Sequence, residues 1–189
     1  MLKIDLRSFI YYKLINSLLF GLSMGVVFTV YTPLEPSVYS LGGIALALGT
    51  IYLAKLYGKI MTLEWFYKIS LFVELLALGM ICYFLLFSYS YTTAIIVYFG
   101  YQLVFTFGTY LIRAETIFIS RRALLSLLDL AKQKGYLVGM FISYIFYKIL
   151  DVYFEIHTKE EQVYLIYYLF FVLEALIIFY LLRAFRRKV

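Results

Sequence analysis

Three acidic residues lie within long hydrophobic stretches, where a carboxylate is costly unless it has a function or a partner. Glu74 and Glu174 are several residues inside their stretches, and Glu115 lies near the end of a third. In hydrocarbon, an unpaired carboxylate is protonated or is neutralised by Lys or Arg. One hypothesis gives these residues a role in proton coupling, alone or with Lys13 or Arg113. The alternative is a static ion pair that holds helices together.

A polar line along residues 91–120 is the second feature with chemical potential. Its members recur every three or four positions and therefore share one side of an α-helix: Gln102, Thr106, Thr109, Arg113, Thr116 and Ser120. Polar groups in hydrocarbon need partners or water, so this side should face protein or a cavity. Gln102 would lie roughly 16 Å inside the membrane, at the depth where transporters hold substrates.

The first hydrophobic stretch carries a comparable line at a spacing of four. It contains Asn16 beside Lys13, Ser17, Gly21, Gly25 and Thr29. Two interpretations remain open for this side: close packing through its glycines, or the lining of a cavity. We expect Asn16, Gln102, Thr106 and Arg113 to line a substrate site. Arg113 has an alternative role, because arginine near a span end often extends to the lipid headgroups as an anchor.

The remaining residues argue against several other classes of function. Cys82 is the one cysteine, so neither a disulfide framework nor a thiolate metal site is expected. His157 is the one histidine and lies in a hydrophilic acidic loop, which is weak support for a metal site. The sequence has no phosphate-binding loop, nucleophile elbow or zinc-protease helix. We therefore expect no enzyme activity, no cofactor and no nucleic-acid partner.

The elements that position these residues are predicted to be transmembrane helices. The sequence is 65% hydrophobic, well above the roughly 45–50% of soluble domains. Its 189 residues have room for about six spans of 20 residues. We predict an all-α membrane protein with one six-helix domain, residues 1–189, and an amphipathic cytoplasmic helix at about 121–134. The predicted spans are 9–31, 38–56, 66–87, 91–113, 135–153 and 162–182.

The distribution of basic residues predicts the orientation. All but Lys148 and Lys159 of the 17 basic residues fall at the termini or beside the connections between spans two and three and between spans four and five. By the positive-inside rule, both termini are cytoplasmic. The prediction is a multi-pass protein of the cytoplasmic, or inner, cell membrane, with the lipid bilayer as its first partner.

Small residues on two further spans predict close contacts between helices. In the second span they are Ser40, Gly43, Ala47, Thr50 and Ala54. In the fifth span they are Gly135, Gly139 and Ser143.

The layout resembles half of a major facilitator superfamily transporter. The loop between spans two and three of that family reads Gly-x-Leu-Ala-Asp-Arg-x-Gly-Arg-Arg, whereas residues 51–60 here read Ile-Tyr-Leu-Ala-Lys-Leu-Tyr-Gly-Lys-Ile. Leu53, Ala54 and Gly58 match, but Lys55 replaces the acidic residue of the gating latch. The segment Lys134-Gly-Tyr-Leu-Val-Gly-Met is similar to the start of the fifth helix of the family.

This resemblance implies a fold of three plus three inverted helices, with helices one and four lining a cavity and helices two and five at the seam between halves. Both halves of such a transporter share one orientation. The chain would therefore act as a parallel homodimer, or with a separate six-helix half, and move a small polar or amphipathic solute by rocker-switch alternating access. Two alternatives are a substrate-capture subunit of an energy-coupling-factor importer and a non-transporting accessory protein.

Overall fold

The computed structural model describes residues 2–87 and 89–187, and these are almost entirely helical. The long helices are α1 (Leu6–Val30), α2 (Pro36–Lys55), α4 (Leu63–Phe87), α5 (Tyr91–Phe118), α6 (Arg122–Tyr153) and α7 (Lys159–Ala184). A short helix, α3 (Tyr57–Ile60), links α2 to α4. Each of the six long helices is apolar and long enough to cross a membrane. The expectation of a multi-pass, six-span helical protein is thus confirmed.

The connection between the fourth and fifth spans differs from the sequence-based prediction. We expected a separate amphipathic helix at about 121–134, but α6 continues without a break from Arg122 to Tyr153. No proline interrupts this segment. Gly135, at the expected boundary, lies within α6 and is buried against α1. The absence of a side chain there permits a close helix contact instead of ending the helix.

Helices α1 and α4 both pack against α7. Helix α1 packs against α6 and α7, while α4 packs against α5 and α7. Helix α2 is peripheral and packs mainly against α5. Buried side chains form one large apolar cluster around Phe9 and Phe66 and a second around Leu22 and Phe84. This arrangement leaves α1 and α5 facing each other without extensive contact.

The two ends of the chain lie together. Strand β1 (Leu2–Ile4) pairs with β2 (Phe185–Arg187) in antiparallel register, with Ile4 opposite Phe185. The backbone N–H of Asp5 also donates to the carbonyl oxygen of Ala184 at 2.8 Å. An even number of spans brings both ends to one side of a bundle, and this pairing agrees with that.

The seam between α1 and α6 depends on glycine. A Cβ atom added to Gly135 would lie 2.2 Å from the carbonyl oxygen of Leu14, and one added to Gly139 would lie 2.1 Å from that of Leu18. On α1, a Cβ on Gly21 would lie 2.2 Å from the carbonyl oxygen of Tyr136. The two backbones are therefore in contact, as the small residues of the fifth span predicted.

The small-residue side predicted on the second span does not pack within the chain. Ser40, Gly43, Ala47 and Ala54 are exposed, and Thr50 is half-buried. Helix α2 instead meets α5 through another side, where Gly42 lies under the ring of Tyr98 and Gly49 lies against Thr106. These larger side chains of α5 need glycine opposite them, which selects that side of α2 for the contact. The predicted side remains free on the surface of the bundle.

Candidate functional site

A cavity of about 310 Å³ opens between α1 and α5, with α4 and α7 forming its inner wall. Most of the lining is apolar. The polar and charged side chains in it come from five helices: Tyr12, Lys13, Asn16, Ser17, Ser23, Glu74, Tyr101, Lys132 and Glu174. Small-molecule sites commonly have this composition, an apolar pocket with a few convergent polar groups.

The carboxyl group of Glu74 is held by two side chains of α1. Tyr12 donates its hydroxyl to Glu74 Oε1 at 2.5 Å, and the Asn16 amide nitrogen lies 3.1 and 3.2 Å from the two carboxyl oxygens. Tyr12 and Asn16 are four residues apart and therefore lie on the same side of α1. Glu74 is only 2% exposed, so these hydrogen bonds replace water around its carboxyl group.

Glu174 lies beside Glu74 on the inner wall but differs from it in its surroundings. It is completely buried, and no amide, ammonium or phenol group of the described residues donates a hydrogen bond to it, although it lies within hydrogen-bonding reach of the carboxyl group of Glu74. It is close enough to Glu74 for the two charges to interact. Two like charges at this depth are unfavourable, so the pair should bind a proton, or keep both charges only with a cation beside it.

A third carboxylate, Glu115, forms an ion-pair cluster that connects three helices. Lys13 of α1 lies 2.9 Å from Glu115 Oε2, and Lys132 of α6 donates to Glu115 Oε1. Lys132 also lies 3.4 Å from Asp129, which is mostly exposed. Lys13 and Lys132 both line the cavity. The cluster therefore connects α1, α5 and α6 at one edge of the cavity.

No protein-family model matches this chain, and neither a curated protein nor a solved structure shows significant similarity to it. The geometry of the cavity is accordingly the basis for assigning a function. Its carboxyl pair and its ion-pair cluster are the two features that any function must explain.

The candidate residues from the sequence divide into two groups. The cavity is lined by Asn16, Glu74 and Glu174. Glu115 is paired with Lys13, which also lines the cavity. Gln102, Thr106 and Arg113, all of them described, do not belong to the lining. Thr106 is buried against α2, and Arg113 is exposed.

Three threonines of the polar line on the fourth span form hydrogen bonds to the backbone of their own helix, which their spacing did not indicate. The hydroxyl of Thr106 donates to the carbonyl oxygen of Gln102 at 2.8 Å, and the hydroxyl of Thr116 donates to that of Ile112 at 3.0 Å. Thr109 similarly donates to the carbonyl oxygen of Thr106 at 2.8 Å. Because threonine can bond to its own helix, these residues need no polar neighbour. Helix α5 instead presents Tyr101, Val104, Gly108 and Leu111 to the cavity.

The first-span line combines the two alternatives that its sequence left open. Lys13, Asn16 and Ser17 line the cavity, whereas Gly21 lies in the seam with α6. The line therefore changes from cavity lining to helix packing about halfway along α1.

Two residues that bind the carboxyl groups of the site were not identified by the sequence. Tyr12 was missed because tyrosine is abundant in this chain, with 21 copies, although its position four residues before Asn16 was a usable signal. Lys132 was missed because it falls in the segment predicted to lie at the headgroups. Its contact with Glu115 depends on α6 being continuous.

The hydrogen bond from Tyr12 gives a testable prediction of moderate size. Tyr12→Phe removes a buried bond to a carboxyl group, and we expect the free energy of unfolding in detergent to fall by about 1.5–3 kcal/mol. Tyr11→Phe is the matched control, because Tyr11 is 44% exposed on the outside of the bundle. Equal stability of the two variants would contradict a structural role for the bond.

Proposed function

We propose that this chain is a secondary active transporter of a small solute, working as a parallel dimer of six-helix halves by alternating access. The observation that carries the proposal is a cavity lined by two buried carboxyl groups from different helices. Glu74 lies roughly 16 Å along α4 and Glu174 roughly 22 Å along α7, which places both near the middle of their spans. Ionisable residues at that depth commonly mark a substrate or proton pathway.

The packing of the helices supports an arrangement of three plus three inverted helices. Exchanging α1 with α5, α2 with α6, and α4 with α7 converts the principal helix contacts into one another. The α1–α6 contact becomes α5–α2, and the α1–α7 contact becomes α5–α4. Helix α1 begins and α5 ends at the side of the bundle where Lys13 meets Glu115, so the exchange relates helices of opposite direction. Inverted repeats of this kind build many transporters.

The open side of the cavity supports pairing with a second copy. A cavity containing carboxyl groups is unfavourable if it faces lipid, so another surface should cover it. The exposed small residues of α2, including Gly43 and Ala47, lie beside this opening and allow close approach of another helix. Two copies in the same orientation would then enclose one central site. The dimer would lie in the inner membrane with the termini of both chains on the cytoplasmic side.

The side chains suggest how transport would be coupled. Glu74 and Glu174 form the proton-coupling pair, and Asn16 positions Glu74 for the solute. The cluster of Lys13, Glu115 and Lys132 joins α1 and α6 to α5 on the side of the bundle where the chain termini lie. Breaking that cluster would let α1 and α5 separate there, which is the movement that alternating access requires.

Transport in reconstituted vesicles tests the proposal. Vesicles containing the purified protein, with an imposed pH gradient, should show protein-dependent flux of at least one radiolabelled solute from a panel of an aromatic cation, a carboxylate, an amino acid and a sugar. Glu74→Gln should abolish the dependence on the pH gradient, whereas Glu64→Gln, on the exposed start of α4, should not. Stable association with an ATPase module would instead favour a substrate-capture subunit.

A further inference from the structure

We infer that the cavity takes a monovalent amphipathic organic cation, which binds at Glu174 in place of a proton. The inference rests on the proposed function, because it names the class of solute that the transporter would carry. It begins from Glu174, a buried carboxyl group that lines the cavity beside the carboxyl group of Glu74 and receives no hydrogen bond from an amide, ammonium or phenol group of the described residues. Such a group needs a cationic partner or a proton.

The charges around the cavity determine the sign of the ligand. Three carboxyl groups face it or its edge, one each from α4, α5 and α7: Glu74, Glu115 and Glu174. Two ammonium groups face them, Lys13 from α1 and Lys132 from α6, and both are already paired with Glu115. Asp129 is at the solvent side of Lys132 and is well screened. One negative charge is therefore in excess when all of these groups are ionised.

A single positive charge balances that excess, and a proton or a monovalent cation supplies it equally well. The two would compete for the carboxyl pair, so loading of one releases the other. An anionic solute would add to the repulsion between Glu74 and Glu174. This charge balance favours exchange of one organic cation for one proton.

The shape and surface of the cavity determine the rest of the ligand. A volume of about 310 Å³ is at the low end for sites that hold small organic molecules, roughly 300–1,000 Å³. The aromatic rings of Tyr12, Tyr101 and Phe170 are in the lining, and their faces attract cations. Aliphatic side chains such as Val73, Ile81 and Val104 complete it. A hydrated inorganic cation would leave these apolar side chains without contacts, whereas an aromatic or branched ammonium compound would pack against them and fill the cavity.

Binding in lipid nanodiscs tests the inference with benzyltrimethylammonium, a permanent cation, and phenylacetate, an anion of similar size. By titration calorimetry we expect the cation to bind more tightly than the anion. Its affinity should fall by about a hundredfold between about pH 8 and about pH 6, because about one proton is released for each cation bound. Glu174→Gln should weaken binding of the cation by about tenfold to a hundredfold and remove the dependence on pH.

The control variant is Glu64→Gln, which removes the same charge from an exposed position outside the cavity. Glu174→Gln keeps the shape of a buried side chain, and retained thermal stability of both variants would show that folding is intact. Tighter binding of phenylacetate, equal binding of the cation by both variants, or absence of cation binding by folded protein would overturn the inference.

The outcomes separate this inference from the proposed function. Binding of the cation without flux in vesicles would contradict transport but leave the ligand class standing. Protein-dependent flux of phenylacetate or of an uncharged solute, without binding of the cation, would support transport and contradict the inferred ligand class.

Discussion

Glu115→Gln should lower the free energy of unfolding by about 3 kcal/mol, the largest loss that we expect from removing one charge. The substitution leaves the ammonium groups of Lys13 and Lys132 beside each other with no carboxylate between them. These lysine side chains are only 13% and 25% exposed, so water compensates poorly. Removing one partner of a buried ion pair typically costs about 3–5 kcal/mol, and the flexible lysine chains place this case at the lower end.

Reversible unfolding of the protein in mixed micelles measures that loss, and Asp129→Asn is its control. Asp129 contacts the same Lys132 at 3.4 Å but is 72% exposed, so its removal should change stability by less than about 1 kcal/mol. Adding Lys13→Met to Glu115→Gln should recover part of the stability, because it removes one of the unpaired charges. Equal losses for Glu115→Gln and Asp129→Asn would contradict a buried cluster.

Gly139→Ala should destabilise the protein by about 1–3 kcal/mol, even though alanine favours helices over glycine. The added Cβ would lie 2.1 Å from the carbonyl oxygen of Leu18, which is main chain and cannot rotate away. Helices α1 and α6 would have to separate along a seam that also contains Gly21 and Gly135. Loss of thermal stability in detergent, or of folded protein at equal expression, measures the effect.

Gly79→Ala is the matched control for the seam. Gly79 lies inside α4, and nothing is within 4 Å of the position that its Cβ would occupy. We therefore expect unchanged or slightly higher stability from the better helix propensity of alanine. A Gly139→Ala variant as stable as Gly79→Ala would show that α1 and α6 do not meet this closely.

The helices could be predicted from the sequence because hydrophobic length and composition decide them locally. The contacts of Glu74 and Glu115 could not, since their partners lie far away along the chain. Tyr12 and Glu74 are 62 residues apart, and Glu115 and Lys132 are 17 apart across a helix boundary that was predicted differently. Helical periodicity indicates which residues share a side, but it does not indicate which helix that side meets.

The fourth span shows the limit most clearly. Its line of polar residues was expected to face protein or a cavity, yet Thr106 and Thr116 bond to their own helix and Arg113 is exposed. The short threonine side chain can reach a carbonyl oxygen one turn back, so its polarity carries little information about neighbours. The buried carboxyl groups were the better guide to the cavity, because a carboxylate cannot be satisfied by its own helix in this way.

The most direct test of the account is the number of chains in the folded assembly. Native mass spectrometry of protein released from the nanodiscs that bind benzyltrimethylammonium should show two copies, since the proposed transporter needs a second copy to cover the open side of the cavity. A single chain that is folded, binds the cation and keeps its carboxyl-lined cavity without a partner would contradict the account.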